Sequence, residues 1–333
     1  MYTRPMHEKL VGIARAASFA RGARLVRQGE ASRGAFILRT GEAEAQVALP
    51  GGGTLAVARF LEGDMFGEMA LIERGVCSAS VIARDAVEAW FIERDDFRAM
   101  VASREPAALE IQRDITRVLA ARLRTLNATV RGHPSAEDRP GRAPAVPSGE
   151  AKEPSFDWRK FLPLLAFFEG FDAYEIDELL AGARARALER GSWLFVPGQA
   201  PAACYVVVRG AVEILSFARE RQRRVAVAGP GELVGHLAVL DGAARTSAAR
   251  VRETACLLEL PARHFLELYG GASATSVSLQ HAIHKSLLRA LSRTNTQLTR
   301  LISHAHLMRG ENAEKEAAEL ERALHGQVVQ STT

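Results

Sequence analysis

Lysine is scarce in this chain, and so are cysteine, aromatic residues and long apolar runs. Only five lysines (9, 152, 160, 285 and 315) stand among 43 basic residues, so arginine carries the positive charge. Against 39 acids the surplus is +4. A sequence pI near 9.2 on so small a surplus is not by itself the footprint of a nucleic-acid binder. Cys77, Cys204 and Cys256 lie far apart, are odd in number and form no CxxC pair. That excludes a disulfide framework and points to a reducing, cytoplasmic setting. The most apolar stretch, 161–171, is too short to span a bilayer and contains Glu169. Met1–Leu10 lacks the apolar core of a secretory signal. What remains is a chain of 333 residues, 47% hydrophobic and 25% charged, the material of about two folded domains.

The sequence repeats itself. Arg21-Gly22, Leu25, Gly29-Glu30, Ala35-Phe36-Ile37-Leu38 and Gly41 return 169 positions later as Arg190-Gly191, Leu194, Gly198-Gln199, Cys204-Tyr205-Val206-Val207 and Gly210. Glu62-Gly63, Gly67-Glu68 and Ala70-Leu71 return at a shift of 168 as Pro230-Gly231, Gly235-His236 and Ala238-Val239. One residue is lost between the blocks, where a strand hairpin tolerates it.

Within each copy, short runs of Val, Ile, Leu and aromatics are broken by glycine every 8 to 12 residues, which predicts an antiparallel sandwich or barrel. Each copy then ends in a long amphipathic helix. Its seam is Ile115, Leu119, Leu123, Leu126 and Val130 in the first, and Leu287, Leu291, Thr294, Leu298 and Leu301 in the second. A helical lead-in is expected over Phe161–Leu180, with a shorter one over Glu8–Ser18. Five prolines between His133 and Pro154 (134, 140, 144, 147 and 154) mark a flexible, partly extended linker. The expected domains are therefore 1–130, truncated at its N-terminus, and 156–309, with the linker at 131–155 and a charged helical tail at 310–333.

The segment Phe66-Gly67-Glu68-Met69-Ala70-Leu71, followed by Cys77-Ser78-Ala79, pairs with Val234-Gly235-His236-Leu237-Ala238-Val239, followed by Arg245-Thr246-Ser247. Both resemble the phosphate-binding cassette of cyclic nucleotide-binding domains, the family of bacterial catabolite activators and kinase regulatory subunits. The resemblance covers about 7–130 and 156–305. It implies two tandem jelly-roll-like (double-stranded β-helix) sandwiches, mainly β with flanking α, each followed by a long C-terminal helix. It also implies a non-enzymatic regulatory role with cAMP or cGMP as candidate ligand. The chemistry suits such a motif. Glycine lets backbone approach a ligand, a short helix offers free N–H groups to an anion, and an arginine closes on the phosphate. The acid of the motif accepts from the ribose 2′-hydroxyl.

Neither copy is complete. The first keeps Glu68 but has Cys77 where the arginine belongs; the second keeps Arg245 but has His236 where the acid belongs. A buried phosphate without a cation is the costlier loss, and a neutral imidazole can still meet a hydroxyl. The expected ligand site is thus Gly235, His236, Leu237, Ala238, Arg245 and Thr246, with Thr294 of the second helix facing the base. Gly67, Glu68, Met69, Ala70, Cys77 and Ser78 form a degenerate first site, for which Arg74 is the substitute cation to test. The alternative is that both cassettes are vestigial and the sandwiches are a ligand-free scaffold.

Other chemistry is sparse. Nine histidines include the pairs His281/His284 and His304/His306 but no HExxH and no ligand partner at metal spacing, so solvated helix histidines are expected and no metal. Gly51-Gly52-Gly53 lacks a following Lys-Ser/Thr and reads as a hairpin turn. The run Arg219–Arg224 falls at a hairpin tip and reads as a solvated turn. A transcriptional regulator needs a helix-turn-helix, and the acidic-leaning stretch after Gly310 is too short for one. A protein partner is expected, with the seam helices pairing either in a homodimer or inside one chain as a pseudo-dimer.

Overall fold

A computed structural model of the chain describes residues 14–48, 54–72, 74–133, 135, 138–145, 150–218, 220–307 and 320. The residues before Ala14, the Gly51–Gly53 stretch expected as a turn, Arg219 and the tail from 310 on, Leu320 apart, lie outside these. Two compact units emerge: residues up to Ile115 together with those from Leu298 on, and Thr116–Gln297.

In the first unit, glycines and alternating apolar residues give two four-stranded antiparallel sheets. One has the order β1 (Ala14–Phe19), β8 (Val87–Glu93), β3 (Gly34–Thr40), β6 (Met65–Phe66). The other runs β2 (Arg24–Val26), β7 (Ser80–Ala83), β4 (Ala43–Ala48), β5 (Thr54–Phe60). The expected Glu8–Ser18 lead-in is overturned from Ala14 on: Ala14–Phe19 is a strand that pairs with Val87–Ile92, Ala16 opposite Trp90. An alanine-rich run has helix propensity, but sheet pairing overrides it. Helices α1 (Met69–Ile72), α2 (Arg94–Ala102) and α3 (Pro106–Gly132) follow.

The second unit repeats this plan with longer strands. After a short β9 (Arg139–Pro140) come β10 (Arg184–Leu188), β11 (Trp193–Phe195), β12 (Ala203–Ala218), β13 (Arg221–Ala228), β14 (Leu233–Val234) and β15 (Ala248–Pro261); β12 spans the counterparts of β3 and β4, and β15 those of β7 and β8. Register shifts within β12 flank Gly210, the counterpart of Gly41 between β3 and β4. Gly210 has φ +85°, and a Cβ there would stand 2.5 Å from the Thr254 carbonyl oxygen, so only glycine fits. The cores share seven positions. Leu38, Ala43, Phe66, Val81, Ala83, Val87 and Ala89 are matched by Val207, Val212, Val234, Ala249, Val251, Ala255 and Leu257.

The lead-in to the second unit is only partly α-helical. Trp158–Leu164 and Ala166–Phe168 are 3₁₀ turns; α4 (Ala173–Leu180) begins at a capping box in which Asp172 and Glu175 each accept the other's amide N–H. Helix α5 (His236–Asp241) sits in the second cassette, α6 (Ala262–Gly270) follows β15, and α7 (Ala274–Leu307) is the long helix. Among the described residues no helix is long and apolar enough to cross a membrane.

Thr116–Gly132, read from sequence as part of the first copy, lies in the second unit. Helix α3 meets α7 at two pairs: Thr116 Oγ1 and His284 Nε2, 168 positions apart as in the repeat, hydrogen-bond, and Thr294 Oγ1 lies 3.0 Å from Asn127 Oδ1, one residue off that spacing. His284 is therefore buried, not solvated as expected. The basic run is also only partly a solvated turn. Arg223 is 9% exposed. It donates to the Val130 carbonyl at 2.9 Å, the His133 carbonyl at 2.6 Å and Asp138 at 2.6 Å. Arg139–Pro140, inside the expected linker, pair with Arg221–Gln222 at the sheet edge.

Candidate functional site

The two cassettes share a backbone frame. Gly29 N–H donates to the Cys77 carbonyl and Cys77 N–H to the Glu30 carbonyl; Gly198, Arg245 and Gln199 make the same pair of bonds in the second unit. Gly67 (φ +78°) and Gly235 (φ +79°) occupy the same turn. The copies differ in what the side chains do around this frame.

In the second unit a cleft of about 1190 Å³, measured out to open solvent, is lined by all seven residues expected there: Gly235, His236, Leu237, Ala238, Arg245, Thr246 and Thr294. Sequence reasoning missed two further walls and most of the α7 wall that Thr294 belongs to. Leu123, Arg124 and Asn127 come from α3, Phe195 from β11 (Trp193–Phe195), and Arg289, Arg293 and Gln297 from α7. The signal available for the first group was the repeat itself, since the 168 shift pairs Thr294 with Leu126, the neighbour of Asn127.

Arg245 is 5% exposed. Its guanidinium lies over the Phe195 ring, 4.1 Å from the centroid, and donates to the Gly235 and Ala203 carbonyls. Gly235 makes room for it: a Cβ would stand 2.7 Å from Arg245 Nη1 and 2.8 Å from the Phe195 ring. The Nε of Arg245 is buried without a partner, and among the described residues no carboxylate pairs with this guanidinium. Burial lowers its pKa.

His236 is 7% exposed, and neither ring nitrogen has a hydrogen-bond partner. Burial, aided by the Arg245 charge, pushes its pKa down to about 4, so the imidazole is neutral at pH 7. It therefore leaves the Arg245 charge uncompensated. The nearby thiol of Cys204 and phenol of Tyr205 are each raised to about 12, chiefly by burial, and supply no negative charge either. The rim cations are better served. Arg124 is paired with Asp241, Lys285 with Glu169 at 2.9 Å, and Arg293 with Glu232.

The first cassette is assembled differently. Arg94 donates to the Ala70 and Ser32 carbonyls, and Arg98 to the Ile72 carbonyl at 2.9 Å. Met69–Ile72 is thus tied down by α2. Cys77 is half-buried and lines a cleft with Leu25, Val26 and Phe36, but Gly67–Ala70 are not part of that cleft's wall. Val26 stands where Phe195 stands in the other copy, so the aromatic shelf is missing as well. Arg74, tested as a substitute cation, is exposed. Among the described residues no group of three or more His, Cys, Asp or Glu could hold a metal ion.

The cyclic AMP receptor protein of Thermus thermophilus is 31% identical over 102 residues. That match covers 30% of this chain and 47% of the relative, so the chain spans about half the length of the curated relative it matches. Among solved structures, the regulatory domain of Toxoplasma gondii PKA with cAMP aligns at 18% identity over 87% of this chain and 90% of that one, with a TM-score of 0.34. The regulatory subunit of a cAMP-independent protein kinase A from Trypanosoma brucei aligns at 17% over 94% and 88%, with a TM-score of 0.33. The Thermus thermophilus catabolite activator protein aligns at 24% over 48% and 85%, with a TM-score of 0.37. The model of the cyclic nucleotide-binding domain matches twice, at residues 16–104 and 185–270, together more than half of the chain. The chain belongs to the cyclic nucleotide-binding domain family, with two copies of the domain in tandem.

Proposed function

We propose that this protein is a regulatory subunit that senses a cyclic nucleotide, cAMP or cGMP, at the Arg245 cassette and passes the bound state to a protein partner. One observation carries the reading: a guanidinium buried in a cleft with no carboxylate beside it and a neutral imidazole where the acid belongs. An uncompensated buried cation is costly, and a cyclic phosphate supplies the missing charge. In exchange for the Gly235 and Ala203 carbonyls, the Nη groups and the orphan Nε gain charge-assisted bonds. His236 offers one donor and one acceptor to the sugar. The first cassette, without cation or aromatic shelf, serves as structure. The name of the Thermus relative, a cyclic AMP receptor, adds support for the adenine ligand.

Pairing of the seam helices within one chain is supported by α3 already meeting α7, with Thr116 and His284 at repeat-equivalent positions and Asn127 and Thr294 one residue off. A light-scattering mass of one chain, 36.1 kDa, is the expected result.

A second reading, a ligand-free scaffold, draws on the two carbonyls that Arg245 already holds. Calorimetric titration of the full chain with cAMP and cGMP separates the two. The expected result is one site per chain, weakened about 10- to 150-fold in Arg245→Ala, the value of a hydrogen bond to a charged group. No heat at millimolar nucleotide leaves the scaffold.

A further inference from the structure

The loop that presents Arg245 is held at both ends by one face of a helix that begins in the other unit. Helix α5 ends at Asp241, whose carboxylate takes two bonds from Arg124 of α3, Nε to Oδ2 at 2.5 Å and Nη2 to Oδ1 at 2.6 Å. On the far side of the loop, the Thr246 carbonyl, one residue past Arg245, accepts from Arg131 Nη1 at 3.0 Å. Arg124 and Arg131 are two helical turns apart and share a face, with Asn127 between them reaching Thr294. The C-terminal end of the same helix is fixed from behind, where buried Arg223 satisfies the Val130 and His133 carbonyls.

We propose that Arg124 and Arg131 are positioning residues for the second cassette: they clamp the loop around Arg245, so that anion capture and docking of the last turns of α3 form one equilibrium. Helix α3 runs unbroken from Pro106, and its residues up to Ile115 belong to the first unit. The proposal rests on the reading of Arg245 as the anion-binding group. Its physical core is that Arg245 must exchange two carbonyls for an anion, and that the next residue's carbonyl is fixed to α3. A coupling between two such events is reciprocal: whatever α3 docking adds to ligand affinity, ligand adds to α3 docking.

The test uses the full chain with cAMP and cGMP as probes, read by calorimetry and by amide hydrogen exchange. Arg131 does not line the cleft, so Arg131→Ala removes no ligand contact. It is expected to weaken the better probe about 5- to 150-fold, the usual range of such couplings. A saturating probe should slow exchange across 116–132 in the wild type and fail to do so in Arg131→Ala. The charge exchange Arg124→Asp with Asp241→Arg should recover most of the affinity lost in Arg124→Asp alone. Wild-type affinity in Arg131→Ala, or exchange over 116–132 that ignores the probe, overturns the clamp while leaving the Arg245 site intact. If neither nucleotide binds, the sensing reading falls, and the clamp is decided without ligand. Arg131→Ala and Asp241→Asn must then each speed exchange in both 116–132 and 236–248, and a change confined to the mutated element overturns it.

Discussion

The first copy is a natural control for the second. At Cys77 and Arg245 the backbone makes the same two hydrogen bonds to the glycine turn opposite, and seven core positions are shared between the copies. The sandwich therefore does not need a guanidinium to form. Where one is kept, it is buried over Phe195 with no acid to balance it, beside a histidine whose nitrogens find nothing to bond. Where it has been lost, Met69–Ile72 is tied by Arg94 and Arg98 to the rest of its own unit. The contrast separates what the fold requires from what it does not, since the second cassette buries unpartnered polar groups that burden the folded chain.

The sharpest way to expose that burden is acid titration. The His236 pKa is depressed from 6.5 to about 4 in the folded protein. Between those values the unfolded chain takes up the proton and the folded chain does not, so stability is full above pH 6.5 and falls as pH drops toward 4. The loss approaches about 3 kcal/mol. Urea unfolding at pH 7, 5.5 and 4 should show it, and His236→Gln should flatten the slope. A wild-type slope no steeper than the variant's would break the contrast between the cassettes.

A smaller effect is expected from placing the first copy's residue in the second. Arg245→Cys should leave the unfolding midpoint unchanged or raise stability by about 1 kcal/mol, because an unbalanced buried charge is removed, while nucleotide binding is lost. A clear drop in Tm would show that the guanidinium supports the fold through its carbonyl bonds. The smallest effect concerns the thiols. Cys204 and Cys256 are buried, with pKa values raised to about 12 and about 11, mainly by burial. Maleimide should label Cys77 alone in the native protein and leave the affinity for nucleotide within twofold.

Much of this architecture could be read from residue order because glycine reports backbone geometry directly. Gly22, Gly29, Gly41, Gly63 and Gly67, and their counterparts 191, 198, 210, 231 and 235, all have positive φ, where other residues are strained. The helix seams were legible for a similar reason: Ile115, Leu119 and Leu123 are all buried at the spacing of a helical face. What escaped was set by partners distant in sequence. Nothing local tells Arg223 that it will sit under the end of α3, or Ala14–Phe19 that Val87–Ile92 will claim it as a strand. The proline-rich stretch reads as free because its one short pairing, Arg139–Pro140 with Arg221–Gln222, involves too few residues to leave a period. The cleft itself was half legible. Its cassette wall is a motif, whereas its α3 wall is a matter of which helix face the repeat turns inward.

The boundary between the compact units, Ile115 to Thr116, falls inside α3 and not in the proline-rich segment. Severing the backbone near residues 141–145 would therefore not liberate two independent modules, since the C-terminal piece would depart without Leu123, Arg124 and Asn127. The second sandwich and the helix that closes the first are thus one compact body, and the gene duplication and the structural partition do not share a border.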